Sequence, residues 1–246
     1  MDLILYVAGI LAFAPTLILM YAVLRKYTYP AVEQPFFSDP ALFKLFVVGL
    51  IAGTILCVAY YIFLDPLNII YTALFAVIQC LAMVVVLNLK RFHGKSDSVF
   101  YGYGLGLGAG CTMALGTIYL LGTVVSGLGS ATDEGTTVGV TGFVWIFIVA
   151  LSYILMLSAI GTTVGEGIAR LRPMEFALQA MFVNVVFSLI LWTAYSSDNN
   201  FSLYVCLILA LIVAAVYFYY IMYLKLSSVV RDVLKMEGKS RKDIPR

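Results

Sequence analysis

Seven long apolar runs follow one another along this chain, and they constrain its fold more than any other feature. A helix needs about 20 apolar residues to cross the roughly 30 Å hydrocarbon core of a bilayer. None of the runs shows the alternation that marks a strand of a membrane β-barrel. The sequence therefore predicts an all-α, multi-pass bundle of seven transmembrane helices, with spans at about residues 3–24, 42–64, 67–89, 99–125, 139–169, 174–195 and 201–224.

The composition supports an integral protein of the cell membrane and excludes other classes. Hydrophobic residues make up 63% and charged residues 11% of the 246 residues. A soluble domain has about 45–50% apolar and about 25% charged residues. These values exclude a soluble globular enzyme and a disordered chain. Nucleic-acid binding is not expected, because 15 basic and 13 acidic side chains leave a net charge of only +2.

The basic residues predict the orientation of the bundle. All 15 lysines and arginines lie in or beside the first, third and fifth loops and in the C-terminal tail. The loops around Asp65-Pro66, Asp133-Glu134 and Asp198 contain none. Because positive loops stay on the cytoplasmic side, we expect the N-terminus outside and the C-terminus in the cytoplasm. The predicted organisation is a membrane domain over residues 1–224 and a basic cytoplasmic tail over residues 225–246.

Two segments on the predicted cytoplasmic side have distinctive compositions. Loop 25–41 combines aromatic residues with prolines and charges, which favours anchoring at the lipid interface; a lid or docking segment is the alternative. The tail places four apolar side chains on one helical face and ends in basic residues. Electrostatic attachment to anionic lipid is the first interpretation of the tail, and a specific partner is the alternative. The four apolar residues of the tail are Val229, Val230, Val233 and Leu234.

Polar side chains inside apolar spans are costly, and they mark candidate sites. Glu166 lies four residues before Arg170, a spacing that predicts an ion pair near the end of a helix. The only histidine, His93, lies in a predicted loop and cannot form a zinc site, which takes about three or four protein ligands. We therefore expect no metal and no cofactor. The remaining polar residues of these spans are Gln79, Cys80, Thr112, Ser158, Thr162, Thr163, Gln179, Asn184 and Ser188.

The fourth apolar run carries glycine at every second position from 102 to 110. Gly104 with Gly108, and Gly106 with Gly110, form two overlapping pairs of small residues four positions apart. Such pairs let helix backbones approach closely in lipid. Packing within the bundle is the first interpretation of these glycines. Docking of a helix from another protein is the second.

Three short stretches together resemble a known family of membrane enzymes. They are Gln79-Cys80-Leu81-Ala82-Met83, Asp97-Ser98-Val99-Phe100-Tyr101-Gly102 and Gly106-Leu107-Gly108. Their order is similar to that of the PrsW-type intramembrane metalloproteases, which belong to a superfamily with the CAAX proteases and the Aph-1 subunit of gamma-secretase. The resemblance covers about residues 5–195. In that family a Glu-Glu-x-x-Lys motif precedes Asp-Gly-x-x-Tyr-Gly, and later helices carry His-Ala-x-x-Thr and His-x-x-x-Asn.

The resemblance implies an active site whose chemical groups are replaced in this chain. Gln79 and Cys80 stand at the paired glutamates, and Met83 stands at the lysine. Met113 occupies the place of the glutamate on the glycine-rich helix, and Ser158 that of the first histidine. Ala180 stands at the second histidine, four residues before a retained Asn184. Hydrolysis by metal-activated water needs ligands and usually a carboxylate base, which these residue types do not supply.

The resemblance therefore predicts a catalytically inactive, PrsW-like membrane protein, a pseudo-protease rather than an enzyme. Its expected role is that of a scaffold or binding subunit, similar to Aph-1, and its expected partner is another membrane protein or a second copy. One alternative is an active intramembrane metalloprotease. Another is a small-molecule transporter or receptor that uses the central polar residues as its pocket.

Overall fold

The computed structural model describes residues 2–64, 68–129, 140–197 and 199–238, and they confirm the all-α prediction. Each predicted span coincides with one of the first seven helices, and a short helix follows. A π-helical segment, Tyr220–Lys225, joins α7 to α8. The eight α-helices of this part of the chain are α1 (Asp2–Leu24), α2 (Asp39–Phe63), α3 (Ile69–Leu87), α4 (Asp97–Gly129), α5 (Val140–Ala169), α6 (Pro173–Tyr195), α7 (Asn200–Tyr219) and α8 (Leu226–Met236).

Six helical segments among these residues are long and apolar enough to cross a membrane. They are Gly9–Tyr27, Asp39–Phe63, Ile69–Leu87, Val144–Ala169, Pro173–Tyr195 and Phe201–Met236. Large apolar side chains also cover the outside of the bundle, such as Ile55, Val85 and Phe182, which are 63%, 71% and 71% exposed. Such extensive apolar surface is typical of a protein that lies in lipid.

Helix α4 lies at the centre of the bundle, between α2 and α5. Every residue from Ser98 to Cys111 is buried. Two residues turn an α-helix by about 200°, so alternate positions lie on opposite faces. The alternating glycines therefore divide between two neighbours. A Cβ on Gly106 would lie 2.9 Å from Ser158 Cα on α5, whereas a Cβ on Gly108 would lie 2.8 Å from Leu50 N on α2.

The first loop folds onto the bundle at the end that we call the basic end, where Arg25, Lys90, Arg170 and Lys225 lie. Tyr27, Phe36 and Phe37 are buried, and the ring centroids of Tyr27 and Phe37 lie 5.0 and 5.2 Å from that of Phe100 on α4. The expectation that these aromatic residues anchor at the lipid interface is wrong for these three, because α4 offers them a protein surface. Tyr29 remains 76% exposed.

Helix α8 packs across the same end instead of presenting its apolar face to lipid. Leu226, Val229, Val230, Val233 and Leu234 are all buried. Hydrogen bonds fasten the helix and the turn that follows it: Tyr27 Oη lies 3.1 Å from Ser227 Oγ, and Ser96 N donates to Glu237 Oε1 at 2.6 Å. The apolar stripe of the tail thus belongs to the core. The basic residues that follow lie outside the described residues, as do the loops around Asp65-Pro66, Asp133-Glu134 and Asp198.

Candidate functional site

One buried polar residue of α3 and one of α6 meet inside the bundle and join the two helices. Asn184 Nδ2 donates to Gln79 Oε1 at 3.0 Å and to the backbone oxygen of Ala76 at 2.9 Å. Asn184 is 1% and Gln79 is 4% exposed. A backbone carbonyl can only accept a hydrogen bond, so the atom of Asn184 that bonds to Ala76 O must be its amide nitrogen. The same nitrogen also donates to Gln79, so the atom of Gln79 that it contacts must be the amide oxygen. We call this pair the polar seam.

Two other predicted site residues flank the polar seam without adding a charge to it. Cys80 is fully buried on α3 with its thiol near Asn184. Ala180, one turn before Asn184 on α6, is also fully buried. Cys111 lies beside Thr16 of α1 instead, so the two buried thiols have different surroundings. Cys80 and Ala180 therefore add an uncharged thiol and a methyl group to the surroundings of the polar seam.

Gln79 also lines a narrow crevice between α2, α3, α4 and α5, together with Met83 and Met113. Its volume is about 10 Å³, which is room for roughly one water-sized group. The wall on the side of α2 is formed by three small residues, Gly49, Ala52 and Gly53, and by Leu56. Gln79, Met83 and Met113 are thus neighbours in space.

The hydroxyl groups of α4 and α5 bond to their own helices. Ser158 Oγ donates to Leu155 O at 2.9 Å, and Thr162 Oγ1 donates to Ser158 O at 2.8 Å. Thr112 likewise donates to Gly108 O and Ala109 O at 3.2 and 3.1 Å. Such back-bonding satisfies a hydroxyl inside lipid without a partner on another helix. Among the described residues, no hydrogen bond joins these three hydroxyls to Gln79 or Asn184.

The fourth-helix glycines face the chain's own helices, as the first interpretation of them expected. A Cβ on Gly104 would lie 3.3 Å from Leu42 O of α2, and one on Gly110 would lie 3.0 Å from Ile154 Cα of α5. Together with Gly106 and Gly108, these positions are covered within the bundle. The second interpretation, in which a helix of another protein docks on them, is therefore wrong in this fold.

An ion cluster around the buried Glu166 lies at the basic end, and the sequence revealed only half of it. The expected pair is present, with Arg170 Nε 2.9 Å from Glu166 Oε1. Lys225 Nζ lies 2.7 Å from Glu166 Oε2, and Asp232 Oδ2 lies 3.1 Å from Arg170 Nη2. Lys225 and Asp232 come from the C-terminal segment, far along the chain from Glu166. No local spacing could have indicated them, because the folding of α8 brings them together.

The described residues contain no group of three or more histidine, cysteine, aspartate or glutamate side chains that could hold a metal ion. Glu166 is 2% exposed, and both of its oxygens face cations. His93 lies in a loop at the basic end, with its Nε2 atom 2.9 Å from Asn88 Oδ1.

The central arrangement is thus an amide pair beside a narrow apolar crevice, and it can donate and accept hydrogen bonds without charge. Comparison with known protein families, with curated proteins and with solved structures gives no match for this chain.

Proposed function

We propose that this protein is a non-catalytic binding or scaffold subunit for other membrane proteins. The observation that carries the proposal is the composition of the polar seam and the adjoining crevice. Asn184 Nδ2 donates to Gln79 Oε1 at 3.0 Å, and Met83 and Met113 line the crevice beside this pair. An uncharged amide in hydrocarbon is a hydrogen-bonding group between helices, worth about 0.6 kcal/mol on average. It is not a base that activates water.

The proposal includes seven membrane spans, with α4 as the central span, the N-terminus outside and the C-terminus in the cytoplasm. The distribution of basic residues supports this orientation. The degenerate PrsW-like motifs and the analogy with Aph-1 support a fold that binds without cleaving. In the simplest case of this proposal, the partner is a second copy of the same chain.

Transport or reception of a small molecule is a weaker candidate. The crevice beside the seam has room for about one water-sized group, which is less than a transported solute requires. Substrate flux into liposomes that contain only this protein would favour that candidate over ours. Cleavage of membrane substrates that a chelator suppresses would instead favour the metalloprotease.

Purification from the native membrane in a mild detergent tests the proposal. Mass spectrometry of the purified material should find a membrane protein, or a further copy of this chain, in a fixed molar ratio. The Glu175→Gln variant is a suitable parallel sample, because Glu175 is exposed and lies outside the seam. A strictly monomeric protein without a stoichiometric companion would contradict the proposal.

A further inference from the structure

Two cations at the basic end have no acidic partner among the described residues. Arg25 and Lys26 follow directly on α1, and both are exposed. None of the ion pairs in the described part of the chain includes either of them, whereas Arg170 and Lys225 at the same end both contact Glu166. Arg25 and Lys26 therefore leave two positive charges at this surface that can attract an anion from outside the protein.

Aromatic rings hold these two cations beside the end of α1. Lys26 Nζ lies 4.7 Å from the ring centroid of Tyr223 in the π-helical segment, and Arg25 Cζ lies 6.0 Å from that of Tyr21 on α1. A ring face attracts a cation without neutralising its charge. The ammonium group of Lys26 has three N–H donors, so donors remain for an anion while the group rests on Tyr223. The rings thus orient the cations and leave them able to bind.

The position of the two cations along α1 corresponds to the depth of lipid headgroups. The apolar helical segment Gly9–Tyr27 is long enough to cross a membrane, and it includes Arg25 and Lys26 in its last turn. Lysine, arginine and tyrosine side chains at the ends of spans reach the interface between membrane and water. Phospholipid phosphates lie at the same interface, so a phosphate group is the anion that Arg25 and Lys26 meet there.

The surface that continues from the cations toward the middle of the membrane is apolar and aromatic. Tyr219 stacks on Tyr223 with ring centroids 5.3 Å apart, and the two side chains are 55% and 44% exposed. On α1, Ile18 and Tyr21 are each 66% exposed. Helices α1 and α7 both pack against α5 but make few contacts with each other, so an acyl chain can lie along this side of the bundle.

We propose that Arg25 and Lys26 bind the phosphate group of an anionic phospholipid whose acyl chains lie along α1 and the stacked rings of Tyr219 and Tyr223. Charge complementarity favours this occupant over a zwitterionic lipid, because no acidic side chain among the described residues pairs with either cation. The apolar surface beside the cations favours a lipid over a soluble phosphate. In the orientation proposed above, the site faces the cytoplasmic leaflet, which is rich in anionic lipids. The inference goes beyond the scaffold function and does not depend on it.

Native mass spectrometry of the detergent-purified protein tests the site. The probes are dioleoyl phosphatidylglycerol and dioleoyl phosphatidylcholine, which have the same acyl chains and differ in net charge. A titration with each lipid gives the dissociation constant of the first bound molecule. A basic side chain near anionic lipid contributes about a fivefold gain in affinity, so with two cations we expect phosphatidylglycerol to bind about 25-fold more tightly than phosphatidylcholine.

Two double variants with the same net charge then locate the effect. Arg25→Gln combined with Lys26→Gln should remove the preference for phosphatidylglycerol, because the site has lost both cations. Lys44→Gln combined with Arg231→Gln removes two exposed basic side chains from α2 and α8 and is the matched control. Neither Lys44 nor Arg231 forms a cation–π contact among the described residues, and this variant should keep the preference of the wild type.

Substitutions of Tyr223 test whether its ring orients Lys26 for the lipid. Tyr223→Leu removes the ring face and should weaken the binding of phosphatidylglycerol about threefold, because Lys26 loses its cation–π contact. Tyr223→Phe keeps the ring face and should bind as the wild type does. Equal affinities of the two variants would overturn the assignment of Tyr223 to the site.

Several outcomes would overturn the lipid site as a whole. Equal affinity of the wild type for both lipids would do so, and so would equal losses in the two double variants, which would indicate a general effect of charge. Displacement of bound phosphatidylglycerol by glycerol phosphate in solution would show that the cations take a soluble phosphate instead. A photoreactive residue in place of the exposed Ala22 should capture phospholipid in the native membrane, and capture of protein alone would show that a protein covers the site.

Discussion

Gly106 on α4 and Gly161 on α5 pack backbone against backbone, and a Cβ on Gly161 would lie 2.9 Å from Gly106 Cα. This contact belongs to an extended interface, since Gly102 faces Gly165 and Gly110 faces Ile154 in the same way. Helices α4 and α5 are thus held by dispersion contacts and close backbone approach, which replace the hydrophobic effect as the attraction between helices in lipid.

Replacing Gly106 by alanine should destabilise the bundle. The added methyl group meets the Ser158 and Leu157 backbone, which cannot move as a side-chain end can. We expect a loss of about 1–3 kcal/mol, typical of overpacking a core. Thermal unfolding in detergent measures the change. Gly9→Ala is the control, because nothing lies within 4 Å of a Cβ there, and an unchanged melting temperature of Gly106→Ala would contradict the packing described above.

Replacing Glu166 by glutamine should loosen α8 from the bundle. The change leaves Arg170 and Lys225 without the carboxylate that lies 2.9 and 2.7 Å from them. Because Glu166 is buried while Arg170 and Lys225 are 27% and 22% exposed, we expect a loss of about 1–3 kcal/mol, between that of an exposed and that of a fully buried ion pair. Hydrogen exchange of residues 226–238 should rise in this variant.

The matched control for this experiment is Glu175→Gln. Glu175 lies 3.5 Å from Arg172, and both side chains are about two-thirds exposed, at 66% and 67%. An exposed pair of this kind contributes about 0–1 kcal/mol. Equal exchange in the two variants would show that the cluster does not hold α8.

Replacing Phe100 by alanine should release the first loop. Phe100 is 1% exposed, and its ring contacts both Tyr27 and Phe37. Loss of a buried phenylalanine costs about 3–5 kcal/mol. Trypsin should then cleave faster at Arg25 and Lys26. Tyr29→Ala removes an exposed ring from the same loop and should leave cleavage unchanged; resistance of Phe100→Ala to trypsin would show that other contacts hold the loop.

The proposed orientation can be tested with two single cysteines. Tyr29→Cys places an exposed thiol in the first loop, and Ser196→Cys places one at the opposite end of α6 from Arg172. A membrane-impermeant maleimide added to intact cells should label position 196 and leave position 29 unlabelled until the membrane is opened. The parent protein gives the background labelling, to which Cys206 contributes because it is only half-buried, whereas Cys57, Cys80 and Cys111 are buried. The reverse labelling would overturn the N-outside orientation.

The sequence by itself determined the all-α class and the positions of the helices, because membrane-length apolar runs leave few other structures open. It also determined the Glu166–Arg170 pair, since residues four apart share one helix face. The alternating glycines indicated close packing of helix backbones, because glycines four residues apart lie on one helix face. Their spacing could not show which helices they contact.

Only the tertiary structure decided how distant segments combine. Tyr27 and Phe37 are buried because α4 begins beside the first loop, and the same residues in isolation favour the lipid interface. Lys225 reaches Glu166 because α7 and the π-helical segment that follows it pack against α5. Asn184 donates a hydrogen bond to the side-chain oxygen of Gln79, although the two residues lie on different helices. Helical periodicity is local and can be read from neighbours in the chain, whereas these contacts depend on which helices become neighbours in space.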